Sequence, residues 1–285
     1  MARRQLNLQS KVYVIVLNWN GWADTCRCLF SLQCLSYSNF RTVVIDNGST
    51  DDSVGHIRTQ FPDIELIEAG SNLGFAAGCN AGITRALAMG ADYVWLLNND
   101  TTVAPSALQE LVDKACSNPH IGAVGSAIYF AEGPDRLQTW GGGKVNFWLG
   151  RSHTFVKPVR DDVVQFITGA SLLLSRAAIE DVGGLDEGFF MYWEDADYCF
   201  RLRRAGWRLA VAGQSKVWHK GSASVGSRSA RMDSYFNSSA VRFFEKHARA
   251  PGIALWTGVA LRLAKRILLA DWDRARAVWT GANGK

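Results

Sequence analysis

The sequence has no Cys-x-x-Cys pair, no long uncharged apolar run and no strong excess of charge. Each absence bears on a class of function. Six cysteines occur, Cys26, Cys28, Cys34, Cys79, Cys116 and Cys199. Their spacing gives no basis for a zinc site or a redox dithiol, and they are expected to be small buried hydrophobes in a reducing compartment. Lys and Arg number 31 against 26 Asp and Glu, a net charge of +5. That balance is too modest to mark a nucleic-acid binder without a basic surface stripe, so no nucleic-acid partner is expected. No stretch is long and charge-free enough to span a bilayer. Arg3 and Arg4 are followed by polar residues, not by the apolar core of a leader, and a cytoplasmic chain is expected. There is no internal repeat. Gly-x-Gly-x-x-Gly is missing too: Gly74, Gly78 and Gly82 lie four apart, on one helix face, where they favour close packing over dinucleotide binding.

What is present is an apolar chain of 285 residues with 48% hydrophobic side chains. That is enough for a sizeable core in one large domain with an appendage. The first half alternates strand and helix. Strands are predicted at 12–17, 42–45, 63–68 and 93–97, and helices at 22–33, 53–60, 74–89 and 105–117, the last with Pro105 at its start. Such alternation predicts an α/β fold with a mainly parallel central sheet flanked by helices. The second half is less regular. An apolar strand at 164–175 is broken at Thr168-Gly169, short helices are expected at 176–182 and 195–205, and strands at 209–212 and 215–219.

Three of the strands end in polar clusters. Residues 93–97 break into Asn98-Asn99-Asp100, residues 42–45 into Asp46-Asn47-Gly48-Ser49, and residues 12–17 into Asn18-Trp19-Asn20-Gly21. Ligands of open α/β sheets bind at this carboxyl edge. Asp is a hard oxygen donor suited to Mg²⁺ or Mn²⁺ that also holds phosphates. The plain alternative is ordinary turn chemistry, which favours the same residues. A second acidic cluster, Glu194-Asp195-Ala196-Asp197, follows the aromatic run 189–193. Aromatic walls exclude water and raise a carboxylate pKa, as a general base requires, while acids are also favoured in the first turn of a helix.

The ordered set of motifs resembles the family 2 inverting glycosyltransferases of the GT-A fold, in particular the bacterial rhamnosyltransferase-like group. The residues that carry it run from 14–21 and 44–51 through Asn72-Leu73-Gly74-Phe75 with Cys79-Asn80, then 97–100, Gly169-Ala170, Gly183-Gly184-Leu185-Asp186, 194–197 and Trp218-His219-Lys220-Gly221. No single motif is highly specific; their order is. The resemblance implies a nucleotide-sugar donor and a Mn²⁺ or Mg²⁺ cofactor, with a saccharide, polyprenyl-linked saccharide or glycolipid as acceptor in cell-envelope polysaccharide synthesis. It implies Asp195 as catalytic base with Glu194 orienting it or the acceptor, and Asp100 as metal ligand with His219 near the metal or diphosphate. It puts Asn18, Asn20, Asp46, Asn47, Asn72, Gly74, Asn98 and Lys220 around the nucleotide-sugar, Asp46 against a pyrimidine base. Many relatives have Asp at the position of Asn98, which lowers the negative charge here. Lys220 and Arg228 are expected to meet phosphate charge from a Gly- and Ser-bearing loop at 221–229. The rival readings are a sugar-nucleotide pyrophosphorylase, which needs a Gly-rich basic loop that residues 18–24 do not supply, and an inactive scaffold.

The catalytic domain is expected over 10–230 and a helical appendage over 231–285. Within it, residues 255–270 place Arg262, Lys265 and Arg266 on one helical face and Trp256, Ala260, Leu263, Ile267 and Leu268 opposite. A basic, Trp-bearing amphipathic helix lies in a membrane interface, or packs on the enzyme's own core or on a second subunit as a homodimer contact. A chain peripheral on the inner face of the cytoplasmic membrane is one expectation from this pattern.

Overall fold

The computed structural model describes residues 10–221 and 229–284. A nine-stranded sheet forms the centre, in the order β3-β2-β1-β4-β11-β6-β12-β5, with β7 paired to β6. Its first half is the predicted alternation. Strands β1 (Val12–Asn18), β2 (Phe40–Asp46), β3 (Glu65–Glu68) and β4 (Tyr93–Asn98) are parallel. Between and after them run helices α1 (Trp22–Gln33), α2 (Ser53–Gln60), α3 (Gly74–Ala88) and α4 (Ala107–Cys116).

The second half of the sheet is mixed. Strand β5 (Thr101–Val103) turns back at once from β4 and closes the far edge against β12. Strand β6 (Ile121–Phe130), unpredicted, lies parallel to β12 (Arg208–His219), with β7 (Leu137–Trp140) at its side. The predicted break at Thr168-Gly169 is a change of sheet. Strand β10 (Phe166–Ile167) joins a small sheet with β8 (Gly142–Asn146) and β9 (Arg151–Thr154), whereas β11 (Ser171–Ser175) enters the main sheet antiparallel to β4. The two strands expected at 209–212 and 215–219 are one strand with a bulge between Ala212 and Lys216. Helices α5 (Arg176–Val182) and α6 (Glu194–Arg204) follow the reading within a residue. Three further helices end the chain, α7 (Ala230–His247), α8 (Pro251–Leu268) and α9 (Trp272–Ala282).

Side chains of a strand alternate between faces, and here both faces are covered, so every position of β1 is apolar until Asn18. Tyr13, Ile15, Val94 and Leu96 face α3, α6 and α7; Val14, Val16, Trp95 and Leu97 face α1 and α4. A Cβ on Gly78 or Gly82 would strike Leu17 or Ile15, so both glycines let α3 lie close on β1. One buried polar chain crosses the core. The Trp95 indole donates to Ser171 at 2.9 Å, and Ser126 joins Ser171 and Ser215 at 2.7 and 2.8 Å. Cys26, Cys28, Cys79 and Cys199 are buried as expected, but Cys34 is exposed.

Helix α7 is not set apart from the core. Ala240, Phe243 and Phe244 are fully buried in the same cluster as β1 and β4. Its Asp233 carboxylate is buried and takes paired donors from Arg266 of α8 (2.9 and 3.0 Å) and Arg274 of α9 (2.6 and 3.3 Å). One carboxylate thus ties the last three helices together. Removing one member of a buried ion cluster leaves the others uncompensated, at a cost of about 3–5 kcal/mol. Asp233→Ala is therefore expected to lower unfolding stability on that scale and to expose residues beyond 250 to limited proteolysis, whereas exchange of the exposed Asp273 leaves both readouts unchanged.

Candidate active site

The parallel strands end together, and their polar termini build one wall of a cavity of about 340 Å³. Asn47, Asn72, Gly74, Asn98, Asn99, Asp100 and His219 line this wall; Glu194, Asp195, Phe75, Tyr192, Trp193 and Phe236 line the other.

At the end of β1, Asn18 is fully buried. It donates to Asp46 at 2.8 Å and accepts from the Thr25 hydroxyl at 2.7 Å. Asp46 is also buried and accepts from both the hydroxyl and the backbone N–H of Ser49 at 2.6 and 2.9 Å. Asn18 and Asp46 therefore brace the loop behind the cavity wall. Asn20, at φ +50°, caps the neighbouring loop by accepting from the Thr50 N–H at 2.7 Å. Asn47 reaches further: it donates to Asn72 and to the Gly74 carbonyl, both at 3.1 Å, and lines the cavity. Gly74 has φ +82°, and an added Cβ would strike the Phe190 carbonyl. That carbonyl accepts from the Phe75 N–H at 2.7 Å, which joins the start of α3 to the loop before α6.

Beyond β4, Asp100 and His219 meet across the sheet. Strand β12 brings the imidazole Nε2 to 3.2 Å from the Asp100 carboxylate and 3.4 Å from the Asn98 amide. The Gln138 carbonyl oxygen lies 2.8 Å from Nδ1 of the same ring. An imidazole whose Nδ1–H donates to that oxygen presents the Nε2 lone pair to Asp100. Both atoms are lone-pair donors that a divalent cation takes as ligands. Hard oxygen plus imidazole is a suitable donor set for such an ion. Among the described residues no third His, Cys, Asp or Glu joins them. Gln138 was not identified from sequence; its only signal is a place on a strand beside β6. Lys220 points elsewhere, pairing with Asp24 at 3.2 Å in a second hollow behind Asp100. Arg228 and residues 222–228 lie outside the described residues.

Opposite stands the N-terminus of α6. Asp195 accepts from the Gly169 N–H at 2.9 Å and from the Ala196 N–H at 2.7 Å. Burial raises its pKa above the ordinary 3.8, against the lowering effect of those two bonds. Glu194 is 6% exposed, and its Oε2 has no hydrogen-bond partner. Burial first, then the charges of Asp195 and Asp197, push its pKa well above the ordinary 4.5. Asp197 faces away from the cavity, fully buried among Arg201, Lys246 and His247. It secures α6 to α7 and takes no place at the cavity.

The sequence profile of glycosyl transferase family 2 matches residues 13–183. Among curated proteins, the N-acetylglucosaminyl-diphospho-decaprenol L-rhamnosyltransferase of Mycobacterium tuberculosis is 29% identical, the alignment covering 84% of this chain and 86% of that protein. The pre-mycofactocin glycosyltransferase of the same organism is 30% identical over 65% of this chain and 38% of that protein. Of solved structures, the mannosyltransferase PcManGT of Pyrobaculum calidifontis, in complex with GDP-Man and Mn²⁺, superposes with a TM-score of 0.63 at 18% identity, covering 96% of this chain and 87% of that one. The fold is the GT-A fold, and the profile covers more than half of the sequence: this chain belongs to glycosyl transferase family 2.

Proposed function

We propose that this protein is an inverting glycosyltransferase. It moves a sugar from a pyrimidine-nucleotide donor, a UDP-sugar or a dTDP-rhamnose-like compound, to a hydroxyl of a saccharide or polyprenyl-linked saccharide in cell-envelope polysaccharide synthesis. The reaction takes place at the cytoplasmic face of the membrane that carries such a lipid. The observation that carries the reading is the pairing, in one cavity, of a half-buried carboxylate, Asp195, at a helix N-terminus with an Asp–His pair. The mycobacterial relative acts, by its name, on a sugar linked through diphosphate to decaprenol, which supports the acceptor class.

In this reading Asp195 accepts the proton of the acceptor hydroxyl as its oxygen attacks the anomeric carbon. The bond from that carbon to the donor phosphate breaks on the opposite face, and configuration inverts. The two backbone donors on Asp195 fix its direction. Glu194, kept protonated by burial, has a hydrogen to donate and orients the acceptor. Asp100 and Nε2 of His219 would hold Mn²⁺ or Mg²⁺, which neutralises charge on the departing nucleoside diphosphate. Both residues also frame the diphosphate side of the cavity, and Gln138 fixes the tautomer of His219.

Asp195→Asn is expected to lower turnover by roughly 10²–10⁴-fold, with nucleotide affinity by calorimetry retained. Since only the ionised base works and burial raises its pKa, kcat/KM should fall on the acid side at a pH above the ordinary carboxylate value of 3.8. Loss of nucleotide binding together with activity would assign Asp195 a purely structural role.

For the metal, thermal shift with UDP or dTDP should show a Mn²⁺-dependent increment, larger than with GDP, that Asp100→Ala abolishes. Gln138→Leu should weaken Mn²⁺ affinity by roughly 10–100-fold, the scale for losing an outer partner of a ligating His. Equal activity in EDTA and in Mn²⁺ would remove the metal from the proposal.

Glu194 gives a test of protonation. A carboxyl whose pKa is raised on folding stabilises the fold fully below its unfolded value, and that contribution is lost as pH rises through the folded value. Glu194→Gln is neutral at every pH. Relative to wild type it should therefore gain stability between about pH 5 and pH 8 in urea unfolding, the range above an ordinary Glu pKa. A constant difference across that range would mean that Glu194 is ionised in the folded protein.

A further inference from the structure

The last helices face the opposite way from the sequence pattern. Arg262, expected on an outer basic face, donates to the Asn237 side chain at 2.6 Å and to the Gly150 carbonyl at 3.0 Å. Arg266 and Arg274 turn in to Asp233. What α8 shows to solvent is mostly apolar: Ile253, Trp256, Leu261, Ile267 and Leu268 are exposed, Leu268 to 86%, with Lys265 its one exposed charge. With 3.6 residues per turn, these positions fall within an arc of about 140°, on one side of the helix. Leu269 follows, and α9 adds Trp272 and Trp279, seven residues apart on one face; the Trp279 ring centroid lies 6.5 Å from that of Trp256. Trp148, in the turn between β8 and β9, sits beside this surface, its carbonyl accepting from Thr257 at 2.6 Å. Four of the eleven tryptophans are exposed, and all four are here. A contiguous apolar surface of this kind marks an interaction site.

We propose that this surface, made of the outer faces of α8 and α9 with Trp148, docks the enzyme on a lipid bilayer by apolar insertion. Indole rings prefer the headgroup level, with an apolar body and a polar N–H. The exposed charges of α8 and α9 are Lys265 and Arg276, with Asp273 the one exposed acid. That leaves a weakly positive margin, complementary to anionic lipid. The surface is also continuous with the cavity. From the Trp148 turn, β9 runs back with Ser152 and Thr154 on the cavity wall, and Phe236 of the cavity precedes the Asn237 that holds Arg262. A lipid-linked acceptor held in the bilayer would thus lie beside the opening served by Asp195. No described helix is long and apolar enough to cross a membrane, so the contact is interfacial.

The purpose of the contact rests on the proposed lipid-linked acceptor, but its test needs neither donor nor acceptor. The full chain is floated with phosphatidylcholine–phosphatidylglycerol vesicles while tryptophan emission is recorded. Binding with a blue shift is expected, mostly retained in about 0.5 M NaCl, where ionic attraction is screened within a few ångströms. The triple variant Trp256→Gln, Leu268→Gln, Trp272→Gln should lose roughly tenfold or more in vesicle partition, as several apolar side chains no longer leave water. Its circular dichroism and its activity on a water-soluble acceptor should match wild type. The proposal is overturned if the wild-type chain stays off the vesicles, if salt alone releases it, or if the variant binds equally well. It is also overturned if the wild type is a dimer that the variant splits, since the occupant is then a second copy. Vesicle binding without transferase activity would instead leave this proposal standing and remove the proposed reaction.

Discussion

The site depends on two consecutive residues in left-handed backbone conformation. Tyr192 and Trp193 have φ of +69° and +67°, a conformation that costs about 1–3 kcal/mol each in a residue with a side chain. The turn persists because Trp193 is packed. Its ring lies 4.8 Å from Phe243, 5.2 Å from Phe244 and 5.5 Å from Phe236, all on α7. Burial of one large aromatic residue offsets strain of that size. The sharp turn starts α6 without a linker, so Glu194 and Asp195 stand at its first positions, facing the sheet edge. The Phe190 carbonyl, accepting from the Phe75 N–H, ties this turn to the start of α3.

The same constraint explains the protonation pattern. The aromatic wall that holds the turn also buries Glu194 and partly covers Asp195. Asp195 has two backbone donors to support its charge, whereas Oε2 of Glu194 has none. Two adjacent carboxyls thus differ in burial, in neighbouring charge and in hydrogen bonding, with Glu194 the more strongly shifted toward its protonated form. On the facing wall the Asp100–His219 pair is assembled by the pairing of β12 with β5, with Thr101 opposite His219, and Gln138 on β7 sets which imidazole nitrogen looks inward.

Helix α7 links this interior to the exterior. One side supplies the aromatic wall and, through Lys246 and His247, the partners of Asp197. Its start carries Asp233, which gathers Arg266 and Arg274. Arg262, Arg266 and Arg274 are consumed by that carboxylate and by Asn237. This is why the exposed side of α8 is mostly apolar rather than basic.

The sequence by itself determined the parallel half of the sheet. The apolar runs 12–17, 43–45 and 93–97 in β1, β2 and β4 fit strands with both faces covered, and each ends at an Asn or Asp. It also marked Asp100, Asp195 and His219, but through their place in the ordered motifs of the resembled family, since polar residues at strand ends and acids in a first helical turn are common by themselves. Strand β6 escaped notice since Gly122, Gly125 and Ser126 interrupt its apolar pattern; those small residues fit only against Trp207, Ile167 and the buried serines. Tertiary structure alone decided that Asn18 and Asp46 bond to each other and brace a loop, that Gln138 reaches His219, and that α7 completes the cavity. It decided the facing of α8 too. Helical periodicity separates two faces of a helix but cannot say which one meets the protein. Here a buried carboxylate 33 residues from Arg266 in the chain outweighed the general preference for charges outside.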